Sequence, residues 1–95
     1  MKSFTSHDLA KYGKDSDVIL LALNRKVYDV STAKDFYGHD GPYHMFAGKD
    51  ATYGLGSMAF TTEASRPLTP DEIAVVNDWE ERFDAKYPVV GELID

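Results

Sequence analysis

Hydrophobic positions divide the chain into a few elements of different period. Val18–Leu23 is an unbroken apolar run and is predicted to form a buried strand. Asn24-Arg25-Lys26 turns the chain, and Val27-Tyr28-Asp29-Val30 returns as a second strand, so the two form a hairpin. Ahead of them, Thr5-Ser6-His7-Asp8 offers a cap and an acidic first turn for a short helix ending near Tyr12, with Gly13 as its stop. Between Ser31 and Gly56 the glycines at 38, 41, 48, 54 and 56 break the pattern into short apolar pieces. Short helices are expected there, at Tyr43–Ala47 and Ala51–Leu55. Thr69-Pro70-Asp71-Glu72 is the clearest helix start: Thr69 caps, Pro70 suits the first helical position, and two acids favour the positive helix end. Ile73, Val76, Trp79 and Phe83 then recur three or four apart as one apolar stripe, Pro88 ends the helix, and Val89-Val90 adds a closing strand. The predicted class is α+β, in one domain over residues 1–95, with no repeat or linker to divide it.

Composition narrows the chemistry. The 95 residues contain no cysteine, which excludes disulfides, thiolate metal sites and thiol catalysis. Ten Lys and Arg against sixteen Asp and Glu give a net charge of −6, which makes nucleic acid a poor partner and a basic protein surface a better one. No apolar run approaches the roughly 20 residues that cross a bilayer, and no signal-peptide pattern opens the chain. An intracellular, cytoplasmic location is expected, or the cytosolic face of the endoplasmic reticulum if an anchor precedes Met1. Ser, His and Asp residues form no nucleophile elbow, and Glu80-Glu81 is read as a solvated helix face. The chain is not read as an enzyme.

The segment Asp35–Ala51 holds most of the candidate chemistry. It crowds Phe36, Tyr37, Tyr43 and Phe46 between glycines, with His39 and His44 in the same loop. Val27-Tyr28-Asp29-Val30, Phe36-Tyr37-Gly38, Gly41-Pro42-Tyr43, Phe46-Ala47-Gly48-Lys49-Asp50-Ala51, Asn77-Asp78-Trp79-Glu80 and Lys86-Tyr87-Pro88-Val89-Val90-Gly91 follow in order. In these pieces, and across Phe4–Leu93, the chain resembles the membrane-associated progesterone receptor family, a variant of the cytochrome b5 fold. The His-Pro-Gly-Gly ligand loop of cytochrome b5 is missing, and Gly41-Pro42-Tyr43 stands where its histidine would be sought.

The resemblance implies a small sheet with short helices forming a haem groove, and five-coordinate ferric haem b held by the phenolate of Tyr43. It implies that Tyr37, Lys86 and Tyr87 line the pocket and hydrogen-bond the ligand oxygen or the propionates. It also implies support of haem-thiolate, sterol-metabolising monooxygenases, and a homodimer formed through the haem face. A haem-free module for a steroid-like ligand or a protein partner is the alternative reading, and weak peroxidase-like chemistry ranks below both.

The residue types suit those roles. Ferric iron is acid enough to bind a phenol as its anion, although a free phenol has a pKa of about 10. An anionic oxygen donor stabilises ferric over ferrous iron, which favours haem binding or sensing over electron shuttling. Lysine supplies a point charge for a carboxylate. Gly38 and Gly41 are expected to let backbone pass close to a flat macrocycle, and Met45, Phe46, Leu55 and Met58 to supply its apolar wall. His39 is left open as a sixth ligand or a solvated loop residue. His44 is read as solvated and His7 as a surface residue. Tyr53 is either pocket rim or surface, and Trp79 and Phe83 are read as core.

Overall fold

A computed structural model describes residues 2–95. Strand β1 is Ser3–Phe4, followed by helix α1 (Ser6–Leu9), which tightens into a 3-10 turn at Ala10–Tyr12 before Gly13. Thr5 and Asp8 close a reciprocal capping box, each side chain accepting from the other's backbone N–H. β2 (Leu20–Leu23) and β3 (Lys26–Asp29) form the hairpin. Its connection is the two-residue turn Asn24-Arg25, both at positive φ, with Lys26 already inside β3. Helices α2 (Lys34–Tyr37) and α3 (Thr52–Ser57) flank a 3-10 turn at His44–Phe46. Helix α4 (Pro70–Lys86) leads into β4 (Val89–Leu93).

The sheet order is β1-β4-β3-β2, with β1 parallel to β4 and the other pairs antiparallel. β1 was not expected, because two residues carry no alternation to read. β2 begins at Leu20 rather than Val18, which is exposed, and β3 ends at Asp29. The outer edge of β2 is covered by the chain at 48–51: Gly48 N–H donates to Leu20 O, Ala22 N–H to Lys49 O, and Ala51 N–H to Ala22 O. This cover satisfies backbone groups that a free edge would expose. Gly48 makes it possible, since its φ of +71° disfavours a side chain and a Cβ there would press on Gly13 and Leu9.

The unbroken apolar run of β2 follows from cover on both faces. Ile19, Leu21 and Leu23 join Tyr28, Val30, Val76 and Phe83 in the larger core, on the side of α2, α3 and α4. Leu20 and Ala22 point the other way, into a smaller core with Phe4, Leu9, Val27 and Leu93.

Helix α4 starts as read, with Thr69 and Glu72 in a second capping box and Pro70 in the first turn. Its apolar stripe is narrower than expected. At about 100° per residue, Val76 and Phe83 lie within about 20° of each other and Ile73 sits about 60° to one side. Val76 and Phe83 are accordingly buried, while Ile73 is 49% exposed. On the same flank as Ile73, Glu80 is half-buried and paired with Lys26 at 2.8 Å, accepting also from Asn24 Nδ2; only Glu81 has the solvated character expected of both.

Candidate functional site

The four residues expected in the pocket come together. Tyr37 closes α2, Tyr43 precedes the 44–46 turn, and Lys86 and Tyr87 end α4; all four line one cavity of about 430 Å³. The size falls in the range of small-molecule sites, about 300–1,000 Å³. Phe83 forms part of the wall between them, 3% exposed, with its ring centre 6.4 Å from Tyr37 and 5.1 Å from Tyr87. A second, smaller cavity of about 100 Å³ is lined by Phe46, Leu55, Met58 and Phe60. Tyr43 and Trp79 line both cavities, so the two adjoin at this pair.

Local backbone explains how Tyr43 is held. Helix α2 stops at Gly38, and the chain folds back so that Gly41 N–H donates to Gly38 O and Tyr43 N–H to Phe36 O at 2.8 Å. At Gly38 and Gly41 the chain comes close to its own α2 carbonyls, those of Lys34 and Phe36. A Cβ at Gly41 would collide with the Phe36 carbonyl. The Tyr43 ring is half-buried and stacks against Phe46 at 6.2 Å and the exposed Phe60 at 5.9 Å.

Tyr37 is 5% exposed, 6.2 Å from Tyr43 between ring centres. Burial pushes its phenol far above the ordinary range, and the neighbouring phenols of Tyr87 and Tyr43 push the same way. Tyr37 thus stays a neutral O–H, a standing hydrogen-bond donor. Lys86 places its ammonium 5.8 Å from the Phe36 ring centre and 5.6 Å from that of Tyr87.

Other expectations are corrected. Met45 does not join the apolar wall; it lines a separate, wider depression of about 650 Å³ with Lys11, Lys14, Lys49 and His44. That depression is larger, but it is ringed by surface lysines and holds none of the tyrosines. His44 is half-buried rather than solvated, with Nδ1 2.9 Å from the Gly41 carbonyl. A carbonyl only accepts, so Nδ1 carries the proton. His39 is exposed and paired with Asp15 at 2.9 Å, and it lines neither cavity at Tyr43. His7 is exposed on α1, as expected. Tyr53 is not pocket rim: its hydroxyl meets Ser65 at 3.1 Å, and its ring lies under Arg66 at 5.9 Å. Trp79 is half-buried cavity wall as well as core.

Sequence reasoning missed Arg82 and Phe60. Arg82 lines the larger cavity, with its guanidinium carbon 5.1 Å from the Trp79 ring centre. Its spacing, three after Trp79 and four before Lys86, was the available signal. Phe60, 69% exposed in a loop, carried none beyond being an unpartnered aromatic.

The family described as "Cytochrome b5-like Heme/Steroid binding domain" matches residues 5–94. The chain belongs to this family. It is 46% identical over 97 residues to a probable steroid-binding protein of Arabidopsis thaliana, covering 96% of this chain and 97% of that protein. It is 38% identical over 101 residues to the human membrane-associated progesterone receptor component 2, covering 98% of this chain but only 45% of the relative. A cytochrome P450 regulator of Schizosaccharomyces pombe is 35% identical over 105 residues, covering 98% of this chain and 63% of the relative. A solved Arabidopsis structure, described as having a cytochrome b5-like fold, superposes with a TM-score of 0.85 at 44% identity, covering 100% of this chain and 93% of that one. The expected fold and the progesterone-receptor-type relationship hold. Of these relatives, one is named as a steroid-binding protein, one as a receptor component and one as a regulator. Among the described residues no helix is long and apolar enough to cross a membrane.

Proposed function

We propose that this cytochrome b5-like domain binds ferric haem b in the groove lined by Tyr43, with the Tyr43 phenolate as the iron ligand. The observation that carries the reading is the convergence of Tyr43, Tyr37, Tyr87 and Lys86 on one cavity. The donor set suits the group: a phenol oxygen for iron, aromatic walls for the macrocycle, cations for carboxylates, and no acid among the lining residues. When bound, haem would supply a ferric iron open to one further ligand. Tyr37, kept neutral by burial, would donate a hydrogen bond to an anionic oxygen and lower its basicity. Lys86 would neutralise a propionate, and Tyr87 would hold the groove wall against Phe83.

Binding rather than catalysis is the proposed activity, in support of a haem-thiolate monooxygenase. The relative named as a cytochrome P450 regulator and the chain's net charge of −6, which favours a basic partner surface, support that role. A haem-free steroid-like ligand is the second reading. It is favoured by the aromatic lining of the larger cavity, from Phe36, Trp79 and Phe83, and by the steroid-binding name of the Arabidopsis relative.

Titration of the purified protein with ferric hemin, followed by absorption, tests the proposal. A saturable one-to-one change in the Soret band is expected. No saturable change would overturn haem binding and leave the steroid reading to be tested.

A further inference from the structure

The backbone bonds of the loop at Gly38–Tyr43 fix where the Tyr43 side chain begins and leave its ring to be held by packing. The last torsion of a tyrosine is soft on its own, so neighbouring rings decide its plane. Two rings lie nearly parallel to it: Phe46, 6.2 Å away at 23°, and Phe60, 5.9 Å away at 22°. Both separations fall within the roughly 4.5–7 Å of interacting aromatic pairs. Phe36 and Tyr37 are about as near but tilted further, by 31° and 37°. Phe46 and Phe60 come from separate segments that meet at Gly54. Helix α3 ends at Met58 in the left-handed conformation, φ +58°, and Ala59 N–H returns to the Gly54 carbonyl at 3.1 Å. The chain doubles back there, and a Cβ on Gly54 would strike both the Phe46 ring and the Thr61 carbonyl. Gly54 thus seats the Phe46 ring and the segment carrying Phe60 side by side. Phe46 is 1% exposed and belongs to the core, whereas Phe60 is 69% exposed and adds little to it. Among the described residues, Tyr43 is the one ring that Phe60 stacks on.

We propose that Phe60 is a positioning residue for Tyr43: with Phe46 it clamps the phenol ring in one plane and so orients the oxygen that takes the iron. This rests on Tyr43 being the ligand, and it goes further by assigning the residue that sets the ligand's orientation. A tyrosine's oxygen lies on the axis about which its ring turns. Turning the ring therefore leaves the oxygen in place and rotates its out-of-plane lone pair, the pair from which the colour of a ferric phenolate arises. A ring stacked on both Phe46 and Phe60 cannot turn without losing both contacts.

Phe60→Ala removes the ring from an exposed site, so its denaturant midpoint should stay near that of the wild type. In the ferric hemin complex of this variant the phenolate-to-iron charge-transfer band should shift and broaden. Hemin affinity should fall about fivefold, as loss of one aromatic stack does. Phe60→Trp, which keeps a flat ring, should restore both. In the Tyr43→Phe background no oxygen is left to orient, so adding Phe60→Ala should change hemin affinity by less than about twofold. An equal loss in both backgrounds would make Phe60 plain groove wall and overturn the proposal. A wild-type band in Phe60→Ala would overturn it as well. The two readings fail separately: if Tyr43→Phe keeps the wild-type spectrum, the ligand assignment itself is wrong. If Tyr43→Phe loses the band while Phe60→Ala keeps it unchanged, Tyr43 stands and the clamp alone is wrong.

Discussion

Tyr43 is fastened to α2 through its backbone: its N–H donates to the carbonyl of Phe36 at 2.8 Å, across the turn that Gly41 makes possible. The candidate ligand is thus positioned by the loop closure and not by a hydrogen bond to its ring. A methyl group at position 41 would drive into the Phe36 carbonyl, which is backbone and has little room to move. Gly41→Ala is expected to cost about 1–3 kcal/mol of stability, the usual range for overpacking. It should also weaken hemin binding, because Tyr43 must shift with the loop. Denaturant midpoints and a hemin titration on the same sample check both effects.

A second fastening sets the far wall of the groove. The buried Tyr28 donates its hydroxyl to Asp84 at 2.6 Å, tying β3 to the helix that carries Trp79, Arg82 and Lys86. Burial, then the Asp84 carboxylate, hold the Tyr28 phenol far above its ordinary range. Tyr28→Phe keeps the ring packed against Phe83 and removes only this donor. Asp84 is partly exposed and can turn to water, so the expected loss is about 1 kcal/mol. Chemical denaturation of the single variant measures it.

Met58 caps α3 in the left-handed conformation, at φ +58°, and is 80% exposed while lining the smaller cavity. A side chain there costs about 1–2 kcal/mol relative to glycine. Met58→Gly is therefore expected to raise stability by about 1 kcal/mol and to weaken hemin binding several-fold. A rise in stability with unchanged binding would remove Met58 from the groove wall.

Acid should weaken the fold through its hydrogen-bonded carboxylates, with Glu72 at the start of α4 held ionised to the lowest pH. Hydrogen bonds from Arg66 and from the Thr69 backbone hold the Glu72 carboxyl at about 2, below its ordinary 4.5. A lowered folded value means that its contribution is complete above about pH 4.5 and is lost as pH falls toward 2. Asp8, Glu80 and Asp84 are shifted in the same direction, by hydrogen bonds from Thr5, Lys26 and Tyr28 respectively. Thermal midpoints should therefore fall steadily over that window. Glu72→Gln should lower the midpoint at pH 7 and shrink the difference between pH 5 and pH 2.5.

The sequence displayed those parts of the fold whose signals are local. Thr69, Pro70 and Glu72 announce α4 because capping depends on residues three apart, and the β2 run announces a buried strand because both its faces are covered. β1 was invisible, since its two residues pair only with Glu92 and Leu93 at the other end of the chain. Gly41 was read toward a ligand because sequence does not tell which surface a glycine approaches, and the nearest one is Phe36 of its own chain. Tyr37, Tyr43, Lys86 and Tyr87 were legible as a set only through the family resemblance. Arg82 escaped because a charged residue on a long helix reads as solvated until the aromatic beneath it is seen.

The most direct test of the central claim replaces Tyr43 with Phe, which removes one oxygen and keeps the ring between Phe46 and Phe60. The ferric hemin complex of the wild type should show a high-spin, phenolate-to-iron charge-transfer spectrum. In Tyr43→Phe that spectrum should vanish and hemin affinity should fall at least about tenfold, as expected when a charged contact is lost. An unchanged spectrum with retained affinity would contradict the assignment and move the iron to another ligand.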